Sequence, residues 1–165
     1  AAPAAQTSKA PVHAEPAPIV ATAEPVASDD ERPMRVLVVD DHDINRRAVQ
    51  LILLPLGCDV SMAADGMAAL RACETTAFDL IFMDVRMPEL DGRETTRRLR
   101  AGGGPNANAP VIAVTADTAP EDIAACMAAG MTYFVSKPLT PPSLLGAVSH
   151  VMSGVSATGG ATAAA

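Results

Sequence analysis

Short apolar runs, separated by helical patterns and closed by polar side chains, leave this chain few possible folds. Val36-Leu37-Val38-Val39 ends on Asp40 and Asp41, and Leu80-Ile81-Phe82-Met83 ends on Asp84. Val111-Ile112-Ala113-Val114 ends on Thr115, and Tyr133-Phe134-Val135-Ser136 leads to Lys137. Such runs read as buried strands of a parallel sheet. Parallel strands share one carboxyl edge, so the pattern predicts that carboxylates, a hydroxyl and an ammonium converge there. That set suits a divalent cation and a phosphoryl group.

The first strand is expected over 35–40, followed by a helix from about Ile44. Ile44, Ala48, Leu51 and Ile52 fall on one face of that helix, and Pro55 and Gly57 end it. A strand over about 59–63 leads to Asp65, a candidate N-cap for a helix over 66–75. Strand 78–83, the loop Val85 to Asp91 and helix 92–101 follow, and Gly102-Gly103-Gly104-Pro105 breaks the pattern. Strand 110–114 precedes a helix from Pro120 to Ala129, with Asp117 or Thr118 near its cap and Gly130 after its end. Strand 132–135 and a helix over 141–152, carrying Leu144, Leu145, Val148, Val151 and Met152 as its buried stripe, complete five βα units.

Five such units predict an α/β, doubly wound parallel sheet, and right-handed crossovers restrict its topology. The flavodoxin-like (βα)5 order 2-1-3-4-5 places a ligand crevice between strands 1 and 3, where Asp40, Asp41 and Asp84 end their strands. Topology and chemistry choose the same edge.

Each polar residue has a plainer alternative. Two adjacent carboxylates repel unless a cation lies between them, and Mg²⁺ favours such oxygen ligands; alternatively Asp40 and Asp41 cap a helix. Asp84 alone would read as a turn residue, Thr115 as a β-branched strand residue, and Lys137 as a solvated surface lysine. A lysine facing three aspartates would instead neutralise charge and donate to phosphate oxygens. His42 borders the acidic pair, but a single histidine makes no metal cluster and suits the first turn of a helix. Surface roles are expected for His13 and His150, and a solvated helix face for Arg97, Arg98 and Arg100.

Asp-Val-Arg-Met-Pro-Glu-Leu-Asp-Gly over 84–92, together with Asp40-Asp41, Thr115-Ala116 and Lys137-Pro138, resembles the receiver domain of two-component response regulators over about 34–152. Asn45-Arg46 after Ile44 resembles receivers attached to hybrid histidine kinases, so the resemblance is greatest to a C-terminal receiver of that kind. Arg93 departs from the apolar residue that usually follows Asp-Gly in this family. The resemblance implies that Asp84 accepts a phosphoryl group from phosphohistidine. It implies Mg²⁺ held by Asp41, Asp84 and the backbone carbonyl of Arg86, with Asp40 acting mainly through water. Lys137, Thr115 and the Ala116 N–H would contact the phosphoryl oxygens, a cis Lys137–Pro138 bond would aim the lysine inward, and Thr115 with Phe134 would form the switch. The implied partner is a histidine kinase or histidine phosphotransferase, and the domain is a self-phosphorylating switch rather than an enzyme.

Two rivals remain. Asp41-His42-Asp43 superficially fits the start of a haloacid-dehalogenase-type phosphatase, although that class needs a second carboxylate pair late in the chain and usually a cap insertion. A pseudo-receiver that only docks would keep the same residues without phosphorylation.

The 49% apolar content supports a core, but at 2% aromatic residues aliphatic and Ala side chains must fill it. A net charge of −7 argues against nucleic-acid binding by this chain. No run approaches the ~20 apolar residues of a membrane span, so no membrane contact is expected. Three cysteines without close metal-ligand spacing suit a reducing compartment. Cytoplasmic location is expected, either free or as the cytoplasmic portion of a membrane-bound kinase, with oligomeric state left open. Residues 1–33 read as an Ala/Pro-rich linker and 153–165 as a low-complexity tail around a domain at 34–152. The chain opens on Ala rather than Met, which reads as a fragment of a longer protein or a processed product.

Overall fold

The computed structural model describes residues 32–156; most of the expected linker, and the tail beyond 156, lie outside them. Five strands and five helices alternate: β1 (Arg35–Val39), α1 (Asp43–Leu53), β2 (Asp59–Ala63), α2 (Gly66–Thr75), β3 (Leu80–Asp84), α3 (Gly92–Ala101), β4 (Val111–Thr115), α4 (Pro120–Ala128), β5 (Tyr133–Ser136) and α5 (Pro141–Ser156). All strand pairs are parallel, in the order β2-β1-β3-β4-β5. The doubly wound order expected from the alternation is the one observed.

Period-2 alternation divides the core into two layers. Val36, Val38, Leu80, Phe82, Ile112, Val114 and Val135 face Val49 and Leu53 of α1 and Leu144, Ala147, Val148 and Val151 of α5. Leu37, Val39, Ile81, Met83, Val111 and Ala113 face Ala69 and Cys73 of α2, Leu99 of α3 and Cys126 of α4. Both faces are covered, which is why the central strands carry apolar residues at nearly every position.

Several boundaries differ from expectation. The strands at β3, β4 and β5 each shift forward, so Asp84 and Thr115 are the last strand residues and not the first loop residues. No side chain caps α4: its N-cap is Ala119, with Pro120 at the first helical position. Asp117 is not available as a cap, since its carboxylate is taken by Arg86 and its N–H by Thr115. Helix α5 runs four residues past Met152, to Ser156, because no proline interrupts that stretch.

The largest difference is in α1. Val49 and Leu53 are its buried residues and Ile52 is half-buried, whereas Ile44 is 81% and Leu51 69% exposed. At roughly 100° per residue, the Val49–Leu53 pair lies well over a quarter turn from Ile44, Ala48 and Leu51. The helix has two apolar arcs, and packing against β1 and α5 selects the one centred on Val49 and Leu53. A 3-10 turn over Leu54–Leu56 then ends at Gly57, whose φ of 76° favours glycine. Asn106, fully buried, ties the far side of the fold together. Its Oδ1 accepts from Phe78 N, and its Nδ2 donates to the carbonyls of Cys73 and Thr76.

Candidate functional site

The carboxyl edge is built by loops that hold themselves in place. Asp40, just past β1, accepts a bond from His42 N at its Oδ1 (2.8 Å), an Asx turn that folds the chain into α1. Arg46 reaches back from the first turns of α1 and donates from Nη1 to Asp40 O at 2.6 Å. Ligand atoms of Asp40, Asp41, His42 and Asp84 all lie within 4.8 Å of one another.

Asp84 ends the central strand β3 and is 1% exposed. Lys137 Nζ lies 3.0 Å from its Oδ1. Its Oδ2, and Oδ1 of Asp41, are buried without a hydrogen-bond partner. Burial pushes the Asp84 carboxyl from its usual 3.8 up to about 6, and the neighbouring Asp40 and Asp41 add to the rise; Lys137 opposes it. Two partnerless buried carboxylate oxygens facing a third acidic group fit a divalent cation, which supplies the positive charge that such oxygens lack.

The Asp-Gly at 91–92 has a steric reason. Gly92 N donates to Val85 O at 2.9 Å, and a Cβ on Gly92 would lie 2.2 Å from the carbonyl oxygen of Asp84. Only glycine lets α3 begin so close to the strand end. Asp91 caps α3 by accepting from Glu94 N at 2.8 Å. Between these points Glu89 takes φ 67°, so the loop departs sharply from extended backbone.

Lys137 N donates to Thr115 O at 2.9 Å, and the Lys137–Pro138 bond is cis. The Thr115 hydroxyl, buried at the end of β4, accepts from Asp117 N at 3.0 Å, and Ala116 follows it as an exposed residue. Arg86 and Asp117 form an ion pair between the loops after β3 and β4. A cavity of about 430 Å³ lies beside it, lined by Arg86, Met87, Arg93, Thr115, Asp122 and Cys126 among others. Phe134 is half-buried against the core layer containing Ala113 and Cys126, with its ring centre 5.9 Å from that of Tyr133.

The structure thus brings Asp40, Asp41, Asp84 and Lys137 together, with Thr115 at the end of β4 and Ala116 and Arg86 on the adjoining loops. Asp43 does not join them: it is exposed and pairs with Arg46 and Arg47, so the Asp41-His42-Asp43 pattern of a phosphatase has no structural counterpart. His150 stacks on Tyr133 away from the site, and His13 lies outside the described residues. Two residues were undervalued by sequence reasoning. Arg46 clamps the Asp40 carbonyl, and His42 belongs to the acidic cluster; the available signals are the Asn45-Arg46 motif for the first and adjacency to the aspartate pair for the second.

A family model described as response regulator receiver domain matches residues 36–149. The sensor histidine kinase RcsC of Salmonella typhi is 39% identical over 117 residues, which is 71% of this chain. The chain spans only 12% of that kinase's length. Among solved structures, the chemotaxis protein CheY4 of Vibrio cholerae has a TM-score of 0.69 at 33% identity, covering 73% of this chain and 99% of that one. The receiver domain of sensor histidine kinase PA1611 from Pseudomonas aeruginosa PAO1, with a magnesium ion coordinated in its active site cleft, has a TM-score of 0.66 at 34% identity. That likeness covers 72% of this chain and 97% of the other.

Proposed function

Since this chain belongs to the response regulator receiver domain family, we propose that it takes a phosphoryl group from a phosphohistidine onto Asp84. The observation that carries this reading is the state of Asp84: buried, held at one oxygen by Lys137, and without a partner at the other. Asp41, Asp84 and the backbone carbonyl of Arg86, with Asp40 acting mainly through water, would hold Mg²⁺, which supplies positive charge beside the phosphoryl oxygens. An Asp84 carboxylate oxygen forms the new bond to phosphorus as the bond to the donor imidazole nitrogen breaks, and the electron pair stays on that imidazole. Lys137 donates to the equatorial oxygens where charge develops, and the Thr115 hydroxyl and Ala116 N–H add two further donors. To do so Thr115 gives up its bond from Asp117 N, and the space it leaves is what Phe134 would report.

The donor is a histidine kinase or histidine phosphotransferase in the cytoplasm. A groove of about 500 Å³ between α1 and the loop after β5 is lined by Asn45, Ala48, Lys137, Pro138 and Leu139. It shares Lys137 with the acidic site, and the exposed Ile44 and Leu51 continue the apolar surface along α1. An apolar patch beside the acceptor suits a helical donor surface. In this reading the domain is both catalyst and substrate of its own phosphorylation, within a longer hybrid kinase.

Incubation with Mg²⁺ and acetyl phosphate or phosphoramidate should add one phosphoryl group, labile to base and hydroxylamine. Asp84→Asn and EDTA should each abolish it. A product that persists in Asp84→Asn, or that ignores chelation, removes the assignment. Sustained turnover of p-nitrophenyl phosphate would point to a phosphatase instead.

A further inference from the structure

We propose that the cavity between the first turn of α3 and α4 binds a free amino acid with an apolar side chain, its carboxylate on Arg93 and its ammonium on Asp122. None of Asp40, Asp41, Asp84 and Lys137 lines this cavity, so the proposal does not depend on phosphorylation.

The space exists because the two helices are held apart. Helix α3 packs closely on α2 and makes no comparable contact with α4. At its far end Arg100 donates from Nε and Nη2 to Gly130 O, just past α4, at 3.0 and 2.8 Å. At the near end Arg86 pairs with Asp117 across the loops that precede the two helices. Beside that pair about 430 Å³ stays open, within the ~300–1,000 Å³ of small-molecule sites.

Buried Val85, Met87 and Cys126 supply the apolar part of the lining. Burial pushes the Cys126 thiol up, so it stays neutral. Of the charged lining residues, Asp117 is taken by Arg86, and Asp91 caps α3 through Glu94 N. Arg93 and Asp122 are left. Both are half-buried, and among the described residues neither side chain has an ion-pair or hydrogen-bond partner. Lining one cavity yet unpaired, the two stand too far apart to bond each other directly.

A half-buried charge without a counter-charge loses hydration and gains nothing in return. One ligand carrying both signs supplies both missing partners. The carboxylate of an amino acid accepts two parallel N–H bonds from the Arg93 guanidinium, and its ammonium donates to Asp122. Its side chain then covers Met87 and Cys126. A simple anion would meet Arg93 but be repelled by Asp122, and a simple cation would leave Arg93 unpaired.

The test titrates the ¹⁵N-labelled full chain with leucine, N-acetyl-leucine and leucine amide, followed by amide NMR and calorimetry. Leucine should shift the amides of Arg93, Asp122 and Cys126 saturably, at one molecule per chain. N-acetyl-leucine lacks the ammonium and leucine amide lacks the carboxylate, so each should bind at least about tenfold more weakly. Arg93→Leu and Asp122→Asn should each weaken leucine to a similar degree while the rest of the amide spectrum persists. Asp84→Asn should bind leucine as the wild type does, which separates this site from the proposed phosphoryl acceptor. Absence of a saturable shift up to about 10 mM leucine, equal binding of the three compounds, or unchanged affinity in either cavity variant overturns the proposal.

Discussion

Replacing Asp84 by Asn should make the metal-free protein more stable at neutral pH, although it removes the proposed acceptor. In the folded chain the Asp84 carboxyl holds its proton up to about pH 6, whereas its usual value is 3.8. Below about pH 4 the group is protonated in both states and costs nothing. Between about pH 4 and 6 the unfolded chain releases the proton first, so stability falls as pH rises, and above about pH 6 the full cost is present. A displacement of about two pKa units corresponds to about 3 kcal/mol. Asn is nearly isosteric; its Oδ1 can still accept from Lys137, and its amide offers a donor to the partnerless Asp41 Oδ1. Chemical and thermal unfolding in EDTA, followed by circular dichroism at pH 4 and pH 8, would measure the difference between variant and wild type. The expected gain at pH 8 is a few kcal/mol, or up to ~10 °C in Tm, shrinking toward zero at pH 4. Millimolar Mg²⁺ should raise the wild type toward the variant by binding only the folded state. A gain of equal size at both pH values, or a wild type more stable than the variant at pH 8 without metal, would refute the argument that Asp84 is destabilised by burial and its acidic neighbours.

The Arg86–Asp117 pair bridges two loops of the carboxyl edge, so Arg86→Asn and Asp117→Asn should each shorten the lifetime of phosphorylated Asp84, and high salt should shorten the wild-type lifetime. An exposed pair contributes ~0–1 kcal/mol, which limits the change to about fivefold; strictly additive effects on ln k without salt dependence would show that the pair is no lid. Thr115→Ala should weaken the response of Phe134 side-chain NMR shifts to beryllofluoride while the fold persists. Unchanged Phe134 shifts in wild type with the analogue saturating Asp84 would make this ring a static core residue. Gly92→Ala drives a Cβ to 2.2 Å from the Asp84 carbonyl oxygen, against backbone that has no room to yield. Phospholabelling should drop sharply and stability should fall by about 1–3 kcal/mol, and normal labelling with an unchanged Tm would contradict that contact.

Much of the fold was legible because each strand carries its own instruction. Val36–Val39, Leu80–Met83 and Val111–Val114 are apolar at every position, which only a sheet covered on both faces satisfies. Once the strands are parallel, chain direction alone sends Asp40, Asp41, Asp84, Thr115 and Lys137 to one edge, so their convergence follows from one-dimensional order. What sequence could not decide depends on rotation and on side-chain reach. Helix α1 has two apolar arcs, and its packing against β1 and α5 buries Val49 and Leu53 and leaves Ile44 and Leu51 outside. The Arg46 clamp on Asp40 O and the His42 ring beside Asp41 arise from the turn between β1 and α1, and the half-buried Phe134 from the edge position of β5, none of which spacing encodes. Periodicity measures how a segment meets the core as a whole; which atoms meet within a site is set by the three-dimensional closure of several segments at once.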